Sequence, residues 1–467
     1  MSKRMITLGI WIAIPVIMLL LPCPAGLDPK AWTLFAFYMA AILGLILQPF
    51  GEAAVLLITL AVYSVLFKGA NIALSGYSSS TTWLVFAACL VGRAFTDTGL
   101  GSRIAFKLIE KFGSTVLGIG YVAAITDWII APATPSNTAR TGGIVYPIFR
   151  SIAVTLGSEP GPTAKKAGAY LSLLCNGISL TTASSFLTAS APNLLLFTLA
   201  ASVLGVEMSW GTYALAAVPP LFVLLMCLPI IYYKLSPPEL KKIDNKNVAR
   251  EGLEKLGPIS RKEIILAILF VLALTLWSTS SFTKVDSGAV ALFFVAGVLF
   301  FDVVGWDELL KEKSAWSTLI WYGAIIGLST SLGRLGFFKW VGNIVMQHVS
   351  FAGMSPAMVM VLLIVSSFPL RYIFASAGAY VGAMIPVYLV LAKAGGVPPE
   401  LSSVALCATV TLGCFFTHFG HGVSVVIYGG GYVDQKTWWK IGLVMALFAN
   451  ALVLTIGLPW WKILGLW

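Results

Sequence analysis

A short polar segment interrupts a long apolar stretch at residues 131–143, where the chain reads APATPSNTARTGG. Pro135 lacks an amide hydrogen and disfavours helix at the residue before it, so an incoming helix should end there. Ser136, Asn137 and Thr138 then open the next helix, and such side chains cap free amides or turn towards a ligand. Free amides at the positive end of a helix dipole attract carboxylates. The segment predicts an anion site, with a kinked helix and a satisfied cap as the alternative.

A second break is predicted within residues 182–193, which end in SSFLTASAPN. Pro192 interrupts the apolar run, and Thr188, Ser190 and Asn193 supply two hydroxyls and an amide. These groups could bind a ligand at the break. A Ser/Thr-rich packing seam between two helices would use the same residue types.

The second half of the chain contains a comparable interruption at residues 371–380, RYIFASAGAY. Ser376, Ala377 and Gly378 mark the expected turn of a hairpin. Because this turn has few polar side chains, its backbone amides would have to provide most of the contacts to an anion.

The last interruption, residues 417–422, reads THFGHG and holds two of the three histidines of the chain. Thr417, His418 and His421 are candidate ligand contacts because two histidines in a glycine-flanked break are unusual inside an apolar run. Zinc binding is a weak alternative, since no further His, Cys or carboxylate cluster completes a ligand set. We expect no metal and no cofactor.

Arg140 lies four residues past Ser136, roughly 6 Å along a helix. An ionisable residue within an apolar span is costly and is by default a functional candidate. Arg140 would either neutralise a bound carboxylate or pair with Asp127 on the opposite arm of the hairpin, and the sequence favours neither.

The elements that position these residues are helices of an integral membrane protein. The chain has 467 residues, of which 58% are hydrophobic and 10% charged, too few charges for a soluble surface of this size. Alternating strand patterns of a membrane barrel are absent, and no basic and aromatic stripe typical of nucleic-acid binding appears.

The first 21 residues resemble a signal peptide, but an uncleaved helix is expected because many spans follow. Predicted spans lie near 6–22, 31–48, 52–67, 83–97, 167–187, 210–233, 263–281, 287–303, 316–333, 401–416 and 439–459.

The longest polar segment, residues 234–262, is predicted to link an N-terminal half (1–233) and a C-terminal half (263–467). It is rich in Lys and Arg, which places it in the cytoplasm by the positive-inside rule. About eleven spans satisfy this placement, with the N-terminus in the cytoplasm and the C-terminus outside. We therefore expect a multi-pass protein of the cell (inner or plasma) membrane.

The two halves repeat the same order of parts. A re-entrant hairpin (about 115–154) and a broken helix (about 167–206) in the first half match a hairpin (about 356–393) and a broken helix (about 401–433) in the second. The span count gives the repeats opposite orientations. Inverted repeats with interrupted helices in matching places are typical of secondary transporters, and the interruptions mark the binding site.

Two other function classes fit less well. A membrane enzyme would need a catalytic cluster, but the 19 acidic residues do not pair at the breaks. A channel would favour a pore lined from end to end.

The motifs TPSNTARTGG, SSFLTASAPN, FASAGAYVGAMIPV and THFGHG, the last followed by YGGGYV, resemble the divalent anion/sodium symporter (DASS) family. The similarity is greatest to its 2-oxoglutarate/malate translocator and citrate/succinate antiporter branch. The resemblance implies a homodimer in which each protomer has a scaffold domain and a transport domain that moves as an elevator. It also implies that both hairpin tips and both broken helices contact substrate carboxylates. Two positions depart from the family pattern: Ala377 and Gly378 follow Ser376 where Asn or Thr is usual, and THFGHG replaces a motif close to THYGTG.

A dianion needs neutralising charge in a low-dielectric barrier. A symporter can supply it with bound sodium, whereas an exchanger can use fixed cations such as Arg140, His418 or His421. We therefore predict electroneutral exchange of C4/C5 dicarboxylates (2-oxoglutarate, malate, succinate, fumarate), with sodium-coupled dicarboxylate or citrate symport as the alternative.

Overall fold

The structure, a computed structural model, describes residues 3–467 of the chain, and side chains from residue 4 onwards. This part is all-helical, and its only β-type pairing is an isolated antiparallel bridge between Thr115 and Lys242. The α-helices of the first half are α1 (Lys3–Leu20), α2 (Pro29–Leu47), α3 (Glu52–Leu66), α4 (Ala70–Leu74), α5 (Ser80–Thr98), α6 (Leu100–Phe112), α7 (Val116–Ile130), α8 (Tyr146–Thr155), α9 (Gly168–Ser185), α10 (Ala191–Leu204) and α11 (Trp210–Leu235).

The linker and the second half continue the numbering. Their α-helices are α12 (Asn245–Leu256), α13 (Arg261–Ser278), α14 (Ser280–Thr283), α15 (Ser287–Phe300), α16 (Trp306–Leu310), α17 (Lys313–Arg334), α18 (Phe337–His348), α19 (Pro356–Leu370), α20 (Ala377–Ala394), α21 (Pro399–Thr409), α22 (Gly422–Tyr428) and α23 (Gln435–Ile463). A π-helix at Thr138–Val145 precedes α8, and short 3-10 turns lie at Ser75–Ser78, Ala131–Ala133, Ala164–Lys166, Leu187–Ala189, Arg371–Ile373 and Leu412–Phe415.

Several helices are long and apolar enough to cross a bilayer. Six of the described helical segments meet this condition by length and hydropathy, and a seventh arises if α5 and α6, bent by 58° at Gly99, count as one span. Five shorter apolar helices, α1 and α3 among them, accompany these. The prediction of an all-α polytopic membrane protein is confirmed, and the count of eleven spans stays a prediction.

The helices pack in two neighbouring groups. In one group, α5 packs on α15 and α17, α3 packs on α17, and α1 packs on α2. In the other, α11 packs on α9 and α23, and α10 packs on α20. Helix α17 also contacts α10, so it lies where the two groups meet.

Close backbone approach occurs inside the first group. A Cβ atom at Gly76 would lie 1.9 Å from the carbonyl oxygen of Gly323 and 2.4 Å from the amide nitrogen of Gly327. Only glycine fits there, because any side chain would separate the Ser75–Ser78 turn from α17.

The linker is more ordered than its polar sequence predicts. It contains α12, which packs on α6, although no helix was predicted within residues 234–262. Backbone bonds run from Leu240 N to Lys166 O at 3.1 Å and from Ile243 N to Ser114 O at 3.0 Å. The linker therefore binds along the loops that flank the first hairpin.

A largely buried ion pair joins the linker to both halves. Both nitrogens Nε and Nη2 of Arg103 on α6 donate to the carboxylate of Glu263 on α13, and Nη1 donates to the carbonyl of Gly257. Glu263 also completes a capping box with Ser260 at the start of α13. Bidentate contacts of this kind are geometrically specific.

Replacing Glu263 by Gln should leave Arg103 without its charge partner and reduce stability by about 1–3 kcal/mol. The measurement is the midpoint of thermal unfolding in detergent, which should fall by a few degrees. Glu110→Gln is the matched control, because Glu110 pairs with Lys107 at an exposed position and such pairs contribute little. Equal midpoints for the two variants would contradict the assignment.

Candidate anion-binding site

The tip of the first hairpin is a turn between α7 and the π-helix. The chain leaves α7 through the 3-10 turn at Ala131–Ala133, becomes extended at Thr134, and turns back into helix at Thr138. The hydroxyl of Ser136 accepts the amide of Ala139 at 3.3 Å, and its carbonyl accepts the amide of Arg140 at 2.9 Å. Pro135 thus ends one arm and Ser136 starts the other, as proline chemistry dictates.

The break between α9 and α10 lies directly against this tip. Phe186 and Ser190 are extended, and a single 3-10 turn separates them. The amide of Ala191 donates to the carbonyl of Pro135 at 3.0 Å. The hydroxyl of Thr188 donates to the carbonyl of Pro132 at 2.6 Å. These bonds satisfy backbone groups that the break would otherwise leave unpaired within apolar surroundings.

The second hairpin turns at Phe374 and Ser376, which are both extended. The Ser376 hydroxyl caps α20 by accepting the amide of Ala379 at 3.4 Å. Helix α20 is 18 residues long, so its N-terminus presents a substantial positive dipole end at this turn.

The break before α22 closes the site from the remaining side. His421 is the N-cap of α22 and accepts the amide of Val423 at 3.4 Å. A Cβ atom at Gly422 would lie 2.9 Å from the hydroxyl of Thr138. This approach places the last break of the second half against the first hairpin tip.

A cavity of about 430 Å³ lies between the two tips and the two breaks, within the size range of small-molecule sites. Eight of the twelve predicted contact residues line it: Ser136, Asn137, Thr138, Ser190, Ser376, Ala377, Gly378 and His421. Its wall therefore combines hydroxyls and an amide with two helix N-termini.

Four predicted contact residues do not line the cavity. The Thr188 hydroxyl accepts Trp210 Nε1 at 3.0 Å, and the Asn193 amide donates to the carbonyls of Ala183 and Phe186. His418 accepts Trp439 Nε1 at 3.0 Å, and Thr417 is buried beneath the loop. Thr188, Asn193 and His418, which were predicted as ligand contacts, therefore form hydrogen bonds to neighbouring protein groups in the structure.

The opposite wall comes from residues that were not predicted as site residues. It consists of Gln48, Glu52, Cys89, Thr318 and Trp321, which lie on the α2–α3 turn, α5 and α17. Most of them belong to segments that resemble plain membrane spans. Glu52 could have been identified from the sequence, because a carboxylate within an apolar run is costly and therefore indicates a functional site.

Arg140 forms a fully buried ion pair with Asp127, with 3.2 Å between Nε and Oδ2. Its Nη1 donates to the carbonyls of Thr134 and Ala189, and its Nη2 donates to the Thr182 hydroxyl. Asp127 accepts hydroxyls of Thr182 and Thr141 at 2.5 and 2.7 Å. Of the two predicted roles of Arg140, the structure thus shows pairing with Asp127.

Arg371 occupies a related place in the second hairpin. It is 4% exposed, its Nη2 donates to the carbonyl of Gly420 at 3.3 Å and to Cys414, and its guanidinium lies 4.3 Å from the Tyr380 ring centre. Each hairpin arginine therefore binds a carbonyl in the neighbouring break.

The two arginines differ in charge balance. Among residues 4–467, Arg371 forms no ion pair, and its Nε and Nη1 have no hydrogen-bond partner. Within the same part of the chain, no three His, Cys, Asp or Glu side chains converge as a metal site. Within the described residues, Arg371 is thus a buried positive charge of the hairpins without an acidic partner, and it lies close to a cavity rich in donors.

Comparison with known proteins agrees with this architecture. The family described as sodium:sulfate symporter transmembrane region matches residues 2–467. An inner membrane protein of Escherichia coli, YbhI, is 43% identical, and the alignment covers 100% of this chain and 99% of that protein. Chloroplastic dicarboxylate transporter 1 of spinach is 37% identical (97% and 80% covered), and the L-tartrate/succinate antiporter of Escherichia coli is 35% identical (96% of each).

A solved structure has a similar fold. MtrF of Neisseria gonorrhoeae superposes with a TM-score of 0.61 at 12% identity, covering 97% of this chain and 94% of that one. Because these sequence matches cover nearly the whole chain, they establish its family, and the predicted membership of the DASS family is confirmed. The chain belongs to the divalent anion/sodium symporter family and is a multi-pass membrane transporter.

Proposed function

We propose that this transporter carries C4/C5 dicarboxylates such as 2-oxoglutarate, malate, succinate and fumarate by exchange. The observation that supports this most is the cavity between the two hairpin tips and the two helix breaks. The names of two relatives, a dicarboxylate transporter and a tartrate/succinate antiporter, support the same substrate class.

The cavity matches a molecule with a carboxylate at each end. Ser136 and Thr138 lie on one tip, and Ser376 begins α20 on the other. One carboxylate would bind at each tip, where hydroxyls and free amides are donors. We assign Ser190 and His421 to the sides of the same pocket.

The charge arrangement supports exchange. Because Asp127 neutralises Arg140, Arg371 supplies the fixed positive charge of the hairpins. An empty site would have to move this charge through the low-dielectric barrier without compensation, which is costly. Exchange of one dianion for another moves no net charge across the membrane in a full cycle, so it is favoured over return of the empty carrier.

Transport would follow an elevator movement. The hairpins, α9 to α11 and α20 to α23 would slide as a transport domain against a scaffold of α1 to α5, α13, α15 and α17. The extensive packing within each group, with α17 at the boundary between them, supports the division. We also propose a homodimer, with the linker and the N-terminus in the cytoplasm and the C-terminus outside.

Sodium-coupled symport is the second candidate, because the matching family is named for sodium:sulfate symporters. In that case bound sodium, rather than Arg371, would balance the substrate charge.

Proteoliposomes separate the two modes. Vesicles preloaded with unlabelled succinate should take up labelled succinate in sodium-free buffer, and vesicles without internal dicarboxylate should take up little. Uptake into empty vesicles that is driven by a sodium gradient would overturn the proposal of exchange.

Arg371→Gln should raise the KM for dicarboxylate about tenfold, since one nearby fixed charge is lost. The same variant should show more uptake into empty vesicles relative to counterflow, because the empty carrier no longer moves a charge. Lys393→Gln is the matched control, an exposed cation on α20, the other arm of the same hairpin. An unchanged KM in a well-assembled Arg371→Gln protein would refute the role of Arg371.

Arg140→Gln should impair assembly rather than affinity, since it leaves Asp127 buried and unpaired. Breaking a buried ion pair in this way costs about 3–5 kcal/mol. The double variant Asp127→Asn with Arg140→Gln should recover much of the monodisperse protein seen by size-exclusion chromatography. If the double variant assembled no better than Arg140→Gln alone, the structural role would be wrong.

A further inference from the structure

The far wall of the dicarboxylate cavity carries a carboxylate of its own. Glu52 is the first residue of α3, and it lines the cavity together with Gln48 from the end of α2. Gln48 adopts the left-handed conformation (φ 46°), which turns the chain sharply between the two helices. This turn directs Glu52 into a site whose expected ligand is also negatively charged.

The turn is held firmly by the first helix. Phe50 makes an edge contact with Trp11, with 6.1 Å between ring centres, and the Arg4 guanidinium lies 5.0 Å from the Phe50 ring centre. Helix α3 packs mainly on α2, α4 and α17. Glu52 therefore belongs to the proposed scaffold and not to the proposed moving part.

Glu52 lines the same cavity as Ser376 at the tip of the second hairpin. Within residues 4–467 no Lys, Arg or His forms an ion pair with the Glu52 carboxylate. The other titratable side chains in the cavity wall are Cys89 and His421. The half-buried Glu52 thus places a carboxylate without a cationic partner in the site that a substrate carboxylate would enter.

We propose that Glu52 is a tethered competitor that weakens dicarboxylate binding on one side of the membrane and so promotes release there. This inference rests on the proposed dicarboxylate exchange. A substrate carboxylate at the second tip would share the cavity with Glu52 and would experience its negative charge. Because Glu52 stays with the scaffold, the effect ends when the hairpins move away.

The side affected is the one on which the linker lies. The cavity contacts α17 at Thr318 and Trp321, near its N-terminal end, whereas a second cavity contacts the opposite end of α17 at Thr330 and Arg334. Two proposed spans, α13 and α15, separate the linker from α17, so the N-terminal end of α17 lies on the linker side. The dicarboxylate cavity therefore opens towards that side.

The experiment measures counterflow in proteoliposomes of known orientation and determines the KM at each face separately. Glu52→Gln preserves the shape of the side chain but removes its charge. On the linker side its KM should fall about five- to tenfold, as expected for one unit charge several ångströms away in a medium of intermediate dielectric. On the opposite side the KM should be unchanged.

Two further variants test the charge explanation. Gln48→Glu adds a carboxylate beside Glu52 and should raise the KM on the linker side only. Glu308→Gln removes a partly exposed carboxylate of α16 that pairs with Lys311 and Arg93 outside the cavity, and should change neither KM. A KM that is unchanged in Glu52→Gln, or that falls equally on both faces, would refute the role of Glu52 while leaving dicarboxylate exchange intact. Absence of counterflow in the unaltered protein would refute the proposed function itself, and the inference with it.

Discussion

Every backbone amide and carbonyl inside a bilayer must find a partner within the protein, and this fold depends on that constraint. Two hairpins and two broken helices interrupt regular helix in apolar surroundings. The structure satisfies the exposed groups locally: Thr188 binds the carbonyl of Pro132, Ala191 binds Pro135, and the two buried arginines bind Ala189 and Gly420. The residues of both tips line the cavity, so the same interruptions that are costly inside the bilayer create a place for an anion.

Both hairpins use a buried arginine to bind a backbone carbonyl, but the two arginines differ in whether a carboxylate neutralises them. Arg140 and Arg371 each donate to a carbonyl in the adjacent break, but only Arg140 has a carboxylate partner. The ion pair of Arg140 and Asp127 is neutral overall, whereas the charge of the unpaired, buried Arg371 remains uncompensated. This difference connects the fold to the proposed mechanism, because a carrier with an unbalanced charge moves more readily with an anionic cargo than without one. Glu52 would add a second, opposing charge that acts from the stationary side.

Much of this arrangement could be predicted from the sequence, because prolines and small polar residues mark each interruption. Pro135 follows the end of α7 and Pro192 lies in the first turn of α10, so Ser136 to Thr138 and Ser190 were found from local chemistry alone. The far wall of the cavity was missed because Gln48, Glu52 and Trp321 come from distant elements whose local sequence shows no break. Thr188, Asn193 and His418 were predicted as ligand contacts from residue type, yet their polar groups bind neighbouring protein groups. Helix α12 was also missed, since it depends on packing against α6 rather than on a membrane-spanning pattern.

If the protein balances the charge of a bound dicarboxylate with its own fixed charge and helix ends, binding should need no sodium. Calorimetry can measure equilibrium binding of succinate to the purified protein in detergent, in sodium and in choline buffers. We expect saturable binding with the same Kd in both buffers and loss of that binding in Asn137→Ala. Binding that appears only when sodium is present would show that sodium, and not the fixed charge, balances the substrate.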